Sequence, residues 1–177
     1  MQTKALIQKT VEALNKVNTV VPNLNCGGCG VFAHALAFEL ELKGFKPQVA
    51  VIANSFFKPL PDTFADELLE KGETLSARKL NASGADLAHL MVYIPEEGIY
   101  ADSEGVYEDI KESSWSSCKH QFNLSVKNAG IIAENPEGWN SSFDRHFVPK
   151  VYDMVFKAVN KIFKNNQPEP VQLSFNF

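Results

Sequence analysis

No run of about 18 apolar residues occurs in the chain, so no segment reads as a membrane-spanning helix. Positive charge is not in excess either. Seventeen Lys and Arg stand against 21 Asp and Glu, a net charge of −4, which removes the basic footprint of a nucleic-acid-binding surface. Cysteine is scarce, with three in 177 residues. The count is odd and no spacing reads as a disulfide framework, so a reducing, cytoplasmic setting with free thiols is expected. Residues 1–11 mix Lys4 and Lys9 with polar side chains and lack the apolar core of a secretory signal. Internal repeats and a second hydrophobic unit are absent as well.

What remains is the composition of one globular domain: 45% hydrophobic, 21% charged, long enough to bury a core. A single domain over 1–164 with a tail over 165–177 is expected. The spacing of Ile7, Val11, Leu14 and Val17 predicts an amphipathic helix over 3–18. Pro22, the asparagines and the glycines that follow mark a loop. Phe32, Ala33, Leu36, Ala37 and Leu40 share one face of a helix predicted over 29–43, with Gly44 as its stop. Strands are predicted over 48–53, 89–94 and 99–102, the last two joined by the Pro95-Glu96-Glu97-Gly98 turn. Asp62 reads as the N-cap of a short helix over 62–71. Residues 75–86 read as irregular, and 111–146 carry no clear period. Val151, Tyr152, Val155, Val159, Ile162 and Phe163 give a final amphipathic helix over 148–164. Helices, then an antiparallel sheet, then a helix indicate the α+β class.

The chemistry concentrates in Asn25-Cys26-Gly27-Gly28-Cys29-Gly30. Cys29 stands where a helix should begin, so its sulfur would feel unpaired backbone N–H groups that favour a thiolate. The surrounding glycines permit a sharp turn and leave room for a substrate. His89 lies on a predicted strand and Asp102 on its hairpin partner. Across that ladder a carboxylate can fix the imidazole tautomer and stabilise its charged form.

Two segments resemble the papain-like cysteine peptidase superfamily. The run from Asn23 through Cys26-Gly27-Gly28-Cys29 to Ala33 is similar to the papain segment of a polar amide, Cys-Gly-Ser-Cys and a buried helix. HLMVYIPEEGIYADSEG, from His89 to Gly105, is similar to the His-strand, turn and strand of NlpC-type cell-wall peptidases. The order Cys, His, polar residue also matches transglutaminase-like enzymes. The resemblance implies a papain-like fold, with an N-terminal central helix carrying Cys29 packed on an antiparallel sheet carrying His89 and Asp102. It implies Cys29 as nucleophile, His89 as base, Asp102 as orienting acid and Asn23 in place of the usual oxyanion-hole glutamine. The implied activity is a hydrolase or acyl transferase acting on an amide or isopeptide bond of a protein or peptide, without a cofactor. The sequence departs from the family in three ways: Asn replaces Gln, no aromatic residue directly follows Cys29, and the Asp-Cys-Ser-Gly of NlpC-type enzymes is missing.

Rival readings stay open. Cys26 is an alternative nucleophile or a resolving thiol. Cys26, Cys29, Cys118 and His120 form a possible Cys₃His zinc set, although Cys118-Lys119-His120 is spaced more tightly than usual. In that case the domain would be a binding module, stapled by zinc, rather than an enzyme. Cys29 could also be an inert buried thiol. His34 reads as structural or surface, His146 as a pocket residue at most, and Trp115 and Trp139 as packing residues ahead of a substrate wall. The end, Gln172-Leu173-Ser174-Phe175-Asn176-Phe177, is similar to short peptides that dock on the bacterial sliding clamp. A strap packed on its own domain is the other reading of this tail.

Overall fold

The computed structural model describes residues 2–14, 17–24, 27–134 and 143–164. Cys26, Trp139 and the tail segment 172–177 lie outside the described residues. The elements run α1 (Gln2–Leu14), α2 (Val17–Val20), α3 (Cys29–Glu41), β1 (Gln48–Asn54), α4 (Phe64–Glu70), α5 (Ala77–Ala82), β2 (Leu87–Ile94), β3 (Ile99–Ala101), β4 (Val106–Tyr107), β5 (Cys118–Leu124), α6 (Val126–Glu134) and α7 (Val148–Lys164). This is a mixed α+β architecture around a five-stranded sheet. Its order is β4-β3-β2-β1-β5, and every pairing is antiparallel.

Helix α3 is the hub. Ten of its residues are buried, including all five of the predicted inner face. A helix apolar nearly all round must be covered on several sides, and α3 packs against α6, α7 and β2. Gly44 ends the segment with φ +88°, a left-handed conformation that only glycine adopts without strain. Helix α7 turns Val151, Val155 and Val159 into the core, the stripe its periodicity predicts.

The sheet has two covered faces. Val49, Val51, Leu90 and Val92 join the large core beneath the helices. Ala50, Ile52, Met91, Ile110 and Cys118 form a second, smaller core on which Trp115, Tyr93, Tyr100 and Tyr107 pack. Side chains alternate along a strand, so the near-continuous apolar run of β1, buried from Val49 to Ala53, is explained by cover on both faces.

The described residues of the first predicted helix are helical, in α1 and α2. Several other sequence expectations are corrected. Asp62 does not cap α4, whose N-cap is Thr63. Its carboxylate instead accepts hydrogen bonds from Asn123, N at 2.7 Å and Nδ2 at 3.4 Å. The stretch read as irregular contains α5, which begins at a true cap: Ser76 accepts from Lys79 N at 3.0 Å. The unassigned region holds both β5 and α6.

Candidate active site

Three elements deliver three side chains to one place. Cys29 is the first residue of α3, behind a Gly28 N-cap that offers no side-chain hydrogen bond. The N–H groups of that first turn therefore lack intrahelical partners and point their partial positive charge toward the thiol. Gly27 turns the chain at φ +111°. Gly28 is required by close packing, because a Cβ there would sit 2.5 Å from the Phe143 ring and 2.9 Å from the Leu24 carbonyl.

His89 is the third residue of β2 and has no solvent exposure. The hairpin register pairs Ile94 with Ile99, Tyr93 with Tyr100 and Val92 with Ala101. One step further, Asp102 comes opposite Met91, so His89 is its diagonal neighbour on the same face. The carboxylate reaches it: His89 Nε2 donates to Asp102 Oδ2 at 3.1 Å. Asp102 is itself fixed. Its Oδ1 accepts from the backbone N–H groups of Glu104 at 2.8 Å and Gly105 at 3.1 Å, and from the Tyr107 hydroxyl at 3.4 Å. Asn18 on α2 braces the adjoining turn through the Ser103 carbonyl and hydroxyl, at 3.4 and 3.2 Å.

With Nε2 committed to Asp102, Nδ1 is the free corner of the ring. It closes no aligned hydrogen bond, yet the Cys29 sulfur is close enough to act on the ring both as a hydrogen-bonding partner and as a charge. Burial by itself lowers the pKa of His89, and it is the largest single influence. Hydrogen bonding and charge from Asp102 and Cys29 together overturn it and lift the pKa to about 9. The ring is therefore poised to hold a proton between an acid and a thiol.

Trp115 covers the imidazole, stacked with its ring centroid 4.3 Å away and the planes 12° apart. From sequence Trp115 reads as a packing residue or a substrate wall, and Tyr107 carries no reading. Tyr107 belongs to the short strand β4 just after Asp102, and Trp115 falls within the stretch 111–146 that no periodicity organises.

Other expected residues fall elsewhere. Asn23 occupies an exposed turn with φ +58°. Cys118 lies in the smaller core, apart from Cys29 in the larger one, and His120 Nδ1 meets the Tyr100 hydroxyl at 2.9 Å. The structure thus does not bring Cys29, Cys118 and His120 together, and no group of three metal-ligating side chains converges among the described residues. His34 contacts Tyr152 on the far part of α3. His146 is exposed, in a short 3₁₀ turn. No protein-family model, curated protein or solved structure matches the chain.

Proposed function

We propose that the protein is a papain-like thiol hydrolase or acyl transferase that opens an amide or isopeptide bond of a peptide or protein through Cys29, His89 and Asp102. One observation carries the reading: a fully buried imidazole whose Nε2 donates to a buried carboxylate, with a helix-terminal thiol near enough to act on the ring. Buried polar groups are costly, so a triad of this kind needs a return that simple packing does not give.

The chemistry follows from the geometry. His89 already holds the thiol proton, as the imidazolium of an ion pair, and the Cys29 thiolate adds to the carbonyl carbon. The backbone N–H of Cys29, unpaired at the helix start, donates to the oxyanion. Asn23 stands in the chain where the family places its second donor. The tetrahedral intermediate collapses with cleavage of the C–N bond, and His89 passes its proton to the leaving nitrogen. The resulting thioester is opened by water in a hydrolase or by an amine in a transferase. Asp102 keeps the ring in the tautomer this sequence needs and offsets its positive charge.

The test is site-resolved alkylation of Cys29 by iodoacetamide across pH, on wild type and His89→Ala, followed by mass detection of an acyl group on Cys29 after exposure to p-nitrophenyl acetate. Fast alkylation that persists well below the free-thiol pKa of about 8.5, disappears with His89→Ala and is matched by acylation supports the enzyme. A Cys29 that is slow at every pH and indifferent to His89 removes the catalytic reading and leaves a binding module.

A further inference from the structure

A second concave region lies on the other side of α3, where it meets α6 and α7. Two adjoining lobes of about 350 and 430 Å³ share His34, Phe38 and Glu134 as walls. The first is closed mainly by apolar groups, Ala133, Val148 and the Tyr152 ring. The rings are set at angles to one another. His34 and Tyr152 meet edge to face with centroids 5.7 Å apart, and His34 and Phe38 are tilted at 6.1 Å. Phe38 is 41% exposed although it projects from the most buried helix of the protein.

The seat of His34 is built. Its Nδ1 is hydrogen bonded to the Tyr152 hydroxyl. Its other edge lies against Gly130, where a Cβ would be 2.9 Å from Nε2. A glycine within a helix costs about 1 kcal/mol relative to alanine, and here it is what leaves room for the edge of the His34 ring against α6. Burial lowers the pKa of His34 more than the Glu134 charge raises it, so the wall it forms is uncharged at neutral pH. Among the lining residues two carboxylates, Glu134 and Glu41, stand against one ammonium, Lys127, and the Arg145 guanidinium lies at the α6 end of the cleft. Arg145 directs Nη2 at the carbonyls of Ala133 and Glu134, at 3.4 and 2.9 Å, as a cap on α6.

We propose that this cleft, with Phe38, His34 and Tyr152 as aromatic walls and Glu134 at its rim, binds a small organic cation: an alkylated ammonium on a short apolar stem. Ring faces attract such a cation, whose weak hydration makes it cheap to bury. The carboxylate supplies the opposite charge, and the apolar lobe takes the stem. The site is separate from Cys29 and does not rest on the catalytic reading.

The probe is choline, titrated into isotopically labelled protein while the ring signals of Phe38, His34 and Tyr152 are followed by NMR. Dimethylbutanol, its uncharged isostere, is the comparison. Saturable shifts of those three rings are expected with choline, at least about fivefold tighter than with dimethylbutanol. Glu134→Gln should weaken choline about threefold or more while leaving the isostere unchanged, and Phe38→Ala should weaken both. Glu134 and Phe38 are both exposed, so the variants fold. Absence of saturable shifts with choline, or equal affinity of wild type for the two compounds, overturns the proposal.

Discussion

Replacement of Asp102 by Asn exchanges an acceptor carboxylate for an isosteric amide and removes one charge from a site with almost no solvent. In the wild type, folding lifts His89 from 6.5 to about 9. At about 1.4 kcal/mol for each tenfold change in proton affinity, the folded protein favours the charged ring by roughly 3 kcal/mol relative to water. That balance has one large opposing part. Burial lowers the pKa more than any single influence raises it, and two of the four raising influences come from Asp102. Without the carboxylate, burial should prevail, and His89 should titrate at 6.5 or below. The direction of the pH effect is then fixed. Wild-type imidazolium persists through neutral pH and is lost only as pH climbs through about 9, whereas the variant loses it on the acid side of neutrality. Imidazole and thiol titrate as a coupled pair, so the observable must belong to the histidine. NMR of ¹³C-labelled His89 supplies it, with iodoacetamide alkylation of Cys29 at neutral pH as the chemical readout. Alkylation should slow by about tenfold or more, because a neutral ring no longer stabilises the thiolate. A His89 that still titrates near 9 in a folded Asp102→Asn protein would show that the carboxylate does not control the ring, and the electrostatic account of the site would fall.

Two further substitutions probe the frame around the triad. Gly28→Ala drives a Cβ to within 2.6 Å of two Phe143 ring carbons and should cost about 1–3 kcal/mol in urea unfolding. Adding Phe143→Ala should recover part of that loss, a non-additivity that an unrelated destabilisation would not produce. Trp115→Ala uncovers the His89 ring. Stability should fall by about 1–3 kcal/mol for a half-buried aromatic, and water should reach the imidazole, weakening both its attraction to Asp102 and the burial that opposes it. Cys29 alkylation in this variant should become faster at saturating pH but less dependent on pH between 6.5 and 9, and an unchanged profile would mean that Trp115 is no more than packing.

How far the sequence reveals such a site depends on the range of the interaction that builds each part. Periodicity is local, and it placed α3, α7, β1 and the β2–β3 hairpin within a few residues of their observed bounds. The hairpin turn at Pro95-Glu96-Glu97-Gly98 is also local and brings Asp102 toward His89, whereas the register that makes them diagonal neighbours is set by the full ladder. Edge strand β5 was not legible, because CKHQFNL alternates weakly and owes its place to β1, which lies far earlier in the chain. Asp62 illustrates the same limit: a good N-cap by type, it is drawn to the backbone of Asn123 by a contact that no local rule contains. Trp115 depends on β5 in turn, since its carbonyl accepts from the first strand residue, Cys118, at 2.9 Å, and only that anchoring sets the indole over His89. The catalytic candidates were therefore visible as types and order, whereas the groups that tune them come from long-range packing. The same packing buries the site. Cys29 is 6% exposed and His89 not at all, and a sulfur so covered can reach a carbonyl carbon only if a neighbouring side chain yields. Trp115 and Phe143 are large rings against His89 and the glycine turn, so under the proposed function their rotamers, rather than the thiol itself, should govern which substrates gain entry.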